Sequence, residues 1–316
     1  MKKIKFRGSS DVVVYVAGDV KEFTGDVCTI NRIGELCRNV AELSSKVCLM
    51  PNVCVDENFL TGLTMTVDWK IFPEFVGSDI GCGITVAELE NFQGDFQRLD
   101  RVIREVSIGN ACGKLHQAAE VFNFYDLYSF GRVNWRSAFD SAGTLDNGDD
   151  IKICLDDDGK FFLVVCSGSH QFGKEVTSYY LDMVETYLTD KLMLRYINDA
   201  KIVQSYAALN RQILIEKICL DMNWSVKNIF TCPHNFIDTS HVPFILRRGA
   251  ISAREGERVI IPMNNQSGAV LGLGKGNAEW NFSAPCTAQN LEDIADTVTV
   301  QKIIRPVYRF CKSAIE

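Results

Sequence analysis

The chain has 316 residues, 33 basic against 40 acidic side chains, a formal charge of −7 and 47% hydrophobic residues, a composition that supplies a large core and excludes a disordered chain. The acid excess excludes a binder that holds nucleic acid through overall positive charge, so any RNA or DNA contact has to be a local patch. No apolar run approaches the roughly 20 residues that span a bilayer, and the start Met1-Lys2-Lys3-Ile4-Lys5-Phe6-Arg7 lacks the apolar stretch of a signal peptide. The expectation is a cytoplasmic protein with no membrane partner. Twelve cysteines scattered from Cys28 to Cys311 without a CxxC pair read mostly as buried thiols in a reducing compartment.

Residues 11–17 form a β-branched run that predicts a buried strand, and Ile30, Ile33, Leu36, Cys37, Val40 and Leu43 recur at helical spacing, which predicts a helix over 30–44. Strand-like segments fill 46–90, and 96–106 and 114–124 read as helices. The runs Ile151–Leu155 and Lys160–Cys166 flank Asp156-Asp157-Asp158-Gly159, a turn composition that predicts a hairpin. Two amphipathic stretches, about 174–194 and 199–222, predict a helical pair. Short strands follow at 227–231, 242–247, 257–262 and 268–273, and 290–314 reads as a final helix. With no internal repeat and no linker composition, the pattern predicts one α+β domain over 1–316, its mixed sheets packed with helices and the helical pair near 174–222 as an insertion.

Four segments carry chemistry. Val76-Gly77-Ser78-Asp79-Ile80-Gly81-Cys82-Gly83 places one carboxylate and one thiol among three glycines, a backbone able to turn both donors toward a borderline or soft divalent metal. The competing structural reading is a Gly-rich turn with a buried thiol. Val165-Cys166-Ser167-Gly168-Ser169-His170 ends an apolar strand in small hydroxyl residues, which suits close approach of backbone N–H groups to a phosphate and equally suits a strand-to-helix turn capped by Ser169. Thr231-Cys232-Pro233-His234-Asn235-Phe236 brings a histidine to a strand end. Arg247-Arg248-Gly249-Ala250-Ile251-Ser252-Ala253-Arg254 is a basic cluster in an acidic chain.

Together these segments resemble the RtcB-type RNA ligases, which join a 3′-phosphate or 2′,3′-cyclic phosphate RNA end to a 5′-hydroxyl end with GTP and manganese. The resemblance rests on Met50-Pro51-Asn52-Val53-Cys54 against the family's MPDVH, and on Pro73 through Gly83 against P-x-x-VG-x-DIGCG. It continues through Cys166-Ser167-Gly168-Ser169-His170 against HSGSR, His234-Asn235-Phe236, Arg248-Gly249-Ala250 against RKGA, and Ser283 to Ala288 where the family has S-x-x-HGAGR. Order and approximate spacing hold from about 46 to 290.

The resemblance implies a metal set of Asp79, Cys82 and His234, with Cys166 in place of the HSGSR histidine and Asp149 in place of the histidine of GNHF. It implies nucleotide contacts from Ser167, Ser169 and Asn235, and RNA contacts from Arg247, Arg248 and His170. The histidine that carries GMP in the family aligns with Cys286, followed by Thr287-Ala288-Gln289-Asn290 where Gly-Ala-Gly-Arg stands. Asp56-Glu57 replaces Gly-Lys-Gly, and Pro262-Met263-Asn264-Asn265-Gln266 replaces PGSMG. Two thiols and an imidazole favour zinc over manganese. The expected function is a divergent relative impaired in self-guanylylation that binds RNA ends, not DNA, or a protein partner. The alternatives are an active GTP-dependent ligase using Cys286 and a metal-dependent phosphoesterase.

Overall fold

The computed structural model describes residues 2–5, 13–16, 27–40, 43, 45–56, 59–107, 123–184, 186–263 and 268–312. Its mixed helices and sheets make it α+β, as the sequence pattern predicts. The chain gathers into two compact units where the pattern predicts one domain: Met1–Gly77, Tyr180–Ile197 and His234–Gln301 form one, and Ser78–Tyr179, Asn198–Pro233 and Lys302–Glu316 the other. Among the described residues no helix is long and apolar enough to cross a membrane.

The second unit is built on antiparallel strands in the order Val226–Pro233, Gly83–Leu89, Phe161–Ser167, Asp150–Leu155 and the 302–311 part of Val298–Cys311. The predicted hairpin turns at Asp156, whose carboxylate accepts the N–H groups of Asp158 and Lys160 at 3.0 and 2.8 Å. Alternation puts Ala87, Ile151, Ile153, Leu163 and Val165 on one face, fully buried against Leu99 and Ile103 of the helix Phe96–Ser107 and Leu214 and Ile218 of the helix Asp190–Met222. Each such side chain contributes about 1.5–3 kcal/mol of burial.

The first unit holds a four-stranded antiparallel sheet, Asn235–Asp238, Ile245–Arg248, Phe59–Thr66 and Val47–Asp56. Pairing of the last two strands breaks between Leu49 and Cys54. Met50-Pro51-Asn52-Val53 therefore leaves the ladder, where Pro51 needs no N–H partner. A hairpin, Arg258–Pro262 with Ala269–Gly274, and the short pair Ala250–Ser252 with Ser283–Pro285 complete its main strands. The expected first strand is seen as Val13–Val16 paired with Lys2–Lys5, and the first helix spans Val27–Asn39.

Two expectations are corrected. Residues 290–314 are not a helix: a short 3-10 turn, Leu291–Ile294, precedes the strand Val298–Cys311. Its β-branched run favours a strand, and Pro306 sits where the register slips between Pro306 and Tyr308, a bulge that tolerates the missing N–H. The helical pair breaks earlier than predicted, into His170–Leu181 and Asp190–Met222 with the strand Leu188–Thr189 between. Asn198-Asp199 reads as a helix boundary, yet both side chains serve the 126–129 turn from inside one continuous helix. Asn198 donates to the Asp126 carbonyl at 3.0 Å, and Asp199 accepts the N–H groups of Tyr128 and Ser129 at 2.9 Å each. The predicted helix 114–124 lies mostly outside the described residues, which resume with Asn123 and the 3-10 turn Phe124–Asp126.

Candidate functional site

In the second unit the loop before Gly83–Leu89 closes on itself, the Cys82 N–H donating to the Asp79 carbonyl at 3.2 Å. Across from it, the Asp79 carboxylate accepts the Ser169 N–H at 3.2 Å, and a β-carbon on Gly168 would lie 2.0 Å from its Oδ1. Only glycine lets the Ser167-Gly168-Ser169 turn approach Asp79 this closely. Cys82 is in hydrogen-bond contact with the side chains of Cys166 and Asp79. Hydrogen bonding to Cys166, then burial, then the Asp79 charge push the Cys82 thiol well above its ordinary value, so it stands neutral. The sequence-expected Asp79, Cys82 and Cys166 are thus together. Among the described residues no group of three or more His, Cys, Asp or Glu side chains stands in metal-holding arrangement; these three satisfy one another instead.

Strand register separates two aspartates that sequence could not. Cys232, Ile84, Cys166 and Asp150 are successive cross-strand partners, so all four side chains project from one face. Asp149 turns the other way. Its Oδ2 accepts the Ser167 hydroxyl at 3.0 Å and the Asp146 N–H at 2.8 Å and pairs with His170 Nε2 at 2.9 Å. Asp150, missed in the sequence reading, is the residue opposite Cys166, where it meets Lys152 at 2.5 Å and Arg309 at 3.1 Å.

The expected ligand contacts are largely spent inside the fold. Ser167 and Ser169 are buried, and Asn210 donates to the Ser167 hydroxyl at 2.8 Å. His170, expected on RNA, is held by Asp149 and Ser167 with positive φ of 54°. Burial lowers its pKa, but hydrogen bonding and charge from Asp149, with Asp146 and Asp79 behind, outweigh it and leave a net rise.

In the first unit Arg247 and Arg248 are not presented to phosphate. Arg247 is fully buried, donating to Asp238 at 2.9 Å and Ser283 at 2.8 Å, and burial lowers its pKa against the pull of Asp238. Buried Arg248 donates to the Val76 carbonyl at 3.0 Å and fills the space beside Gly77, where a β-carbon would fall 1.3 Å from its Nη1. The Asn235 carbonyl oxygen of the side chain accepts the Gly249 N–H at 2.9 Å. The carbonyl of His234, the residue after Pro233, accepts the Ala250 N–H at 3.2 Å.

Cys286 ends the Ser283–Pro285 strand, its N–H donating to the Gly249 carbonyl at 3.1 Å. Asn52, from the bulged segment, donates to that same carbonyl at 2.9 Å and to Cys286 Sγ at 3.5 Å. Beyond it the backbone donors are already used. Ala288 N–H goes to the Pro262 carbonyl at 3.0 Å, and the Asp293 carboxylate accepts the N–H groups of Gln289 and Asn290 at 2.8 and 3.2 Å. The only sequence signal for this was the Asn290-to-Asp293 spacing, a capping box.

Residues 149–287 match the family profile described as tRNA-splicing ligase RtcB. Among curated proteins, RNA-splicing ligase RtcB1 of Escherichia coli strain ATCC 25922 is 25% identical over 285 residues, an alignment covering 72% of this chain and 70% of the relative. RNA-splicing ligase RtcB of Escherichia coli K12 is 23% identical with the same coverage.

Proposed function

We propose that this chain, a member of the RtcB-type RNA ligase family, binds RNA ends on a divalent-metal scaffold without taking GMP at the position where the family does. The observation that carries this reading is Asp293, whose carboxylate caps the Gln289 and Asn290 N–H groups just after Cys286. A covalent nucleotide needs close backbone donors at its phosphate. Here those donors are occupied, and a carboxylate stands where the guanylate charge would have to settle.

The metal would be held in the second unit by Asp79, Cys82 and Cys166. The donor chemistry fits: two thiols and a carboxylate in mutual contact suit a borderline or soft ion, and zinc better than manganese. A bound divalent ion supplies Lewis-acid polarisation of a phosphate oxygen. The chain's own part is to fix Asp79 through the Ser169 N–H and to keep the thiols against each other until they give up their protons.

A second reading, an active ligase on Cys286, is favoured by the Asn52 contact. The Gly249 carbonyl orients the amide so that an N–H faces sulfur, an arrangement that supports a thiolate. Incubation with labelled GTP, a denaturing gel and peptide mass spectrometry separates the two. The expected result is no adduct, with an RNA oligonucleotide ending in 3′-phosphate bound in a fluorescence anisotropy titration. An adduct on Cys286 that disappears in Cys286→Ser establishes the ligase reading, and failure to bind the oligonucleotide removes the first.

A further inference from the structure

Arg211 lies in the middle of the helix Asp190–Met222 and is 1% exposed. Its guanidinium donates to four oxygens, none of them charged. Nη1 reaches the Gly81 carbonyl at 2.9 Å and the Ser167 carbonyl at 2.7 Å, Nε the Thr85 hydroxyl at 3.1 Å, and Nη2 the Thr231 hydroxyl at 3.2 Å. Among the described residues no carboxylate forms an ion pair with it. A buried cation satisfied only by neutral acceptors is costly, because its charge is desolvated without an opposite charge in contact.

The four acceptors are not scattered. Gly81 precedes Cys82, Ser167 follows Cys166, and Thr231 precedes Cys232, so the guanidinium grips the backbone or side chain beside each thiol of the site. The groups whose charge reaches it are Cys82, Cys166, Asp79 and Cys232. While the thiols are neutral, Asp79 is the formal negative charge among these four.

We propose that Arg211 is the positioning residue and counter-charge for the ionised, metal-loaded form of the Cys82–Cys166 pair. Two thiolates and one carboxylate around a divalent ion leave one surplus negative charge, and the guanidinium cancels it. With histidine at position 166, the residue of the family's HSGSR, one thiolate and one carboxylate already balance the ion and the surplus disappears. The inference therefore explains how this chain tolerates the exchange, and it rests on the metal reading above.

A double-mutant cycle on the full chain, with zinc as the probe in a chelator competition, tests it. Arg211→Met should lower zinc affinity about 10–100-fold, the range for loss of a group supporting metal ligands. In a Cys166→His background the same change should cost less than about 3-fold. A merely structural role lowers affinity equally in both backgrounds, and that result, or an unchanged affinity in folded Arg211→Met, overturns the proposal. Should Arg211→Met fail to fold, calorimetry of the unaltered protein in two buffers of different ionisation enthalpy decides instead. About two protons released per zinc is expected, and one proton overturns the idea because a thiol has then stayed neutral. No zinc binding by the unaltered protein removes the metal reading and this inference together, whereas zinc binding with a flat cycle removes only this inference.

Discussion

Gly168→Ala puts the packing of the candidate site to a measurement whose sign is diagnostic. Gly168 is not among the residues with positive φ, so alanine fits its backbone, and at a roomy position the change would stabilise by about 0.4–1 kcal/mol through the unfolded chain. The position is not roomy. The new β-carbon would stand 2.0 Å from Asp79 Oδ1 and 2.7 Å from its Cγ, closer than the 3.0 Å that β-carbons respect. If Asp79 swings away, it loses the Ser169 N–H bond of 3.2 Å, a charge-assisted contact of about 1.5–3 kcal/mol. If the turn moves instead, overpacking costs about 1–3 kcal/mol. Either route, less the entropic gain, destabilises by about 1–2.5 kcal/mol. Urea unfolding should show the midpoint falling with m unchanged. An equal or raised midpoint refutes the contact between this turn and Asp79.

Arg247→Met leaves Asp238 buried without its 2.9 Å partner and should cost about 3–5 kcal/mol, while RNA affinity per folded molecule stays unchanged. A folded, stable variant that loses RNA affinity would return Arg247 to the RNA surface. Asp238 itself gives a pH signature. Burial works against ionisation, but hydrogen bonds from Ser240 and the Arg247 charge hold its carboxyl far below the model value of 3.8. The folded value is depressed, so the stabilisation is present above about pH 4 and is lost as pH falls below it. Thermal unfolding between pH 5 and 2, estimated from that window, should show a flatter acid limb in Asp238→Asn, and superimposable limbs would contradict the pairing.

Local pattern was sufficient where one force dominated. The Asp156–Gly159 turn, the strand at its either side and the Gly-rich approach around Asp79 and Gly168 all follow from composition, because turn chemistry and close packing act over a few residues. Tertiary demands were illegible. The basic cluster at 247–254 reads as a surface because charges usually face water, whereas Asp238 and Ser283, from other strands, make an interior place for Arg247. The Val298–Cys311 strand was mistaken for a helix because its solvent-facing Lys, Arg and Gln side chains mimic helical amphipathicity, and its pairing with Asp150–Leu155 is invisible at a separation of more than 140 residues.

The aspartates at 149 and 150 show how a one-residue uncertainty in a strand becomes a whole change of chemistry. Matching by type alone admits either beside the family's GNHF histidine. A strand alternates its faces, so only one of two neighbours can share a face with Cys166. Pairing of Asp150 with Cys166, and of Cys166 with Ile84, sends Asp149 to the opposite side, where Ser167, His170 and Asn210 form a connected polar network. The carboxylate on the thiol face is Asp150, and it is already neutralised by Lys152 and Arg309. Charge balance near the thiols therefore falls to the one buried cation that no carboxylate among the described residues neutralises, Arg211, which is why the substitution of a thiol for an imidazole at 166 and the position of that guanidinium have to be read together.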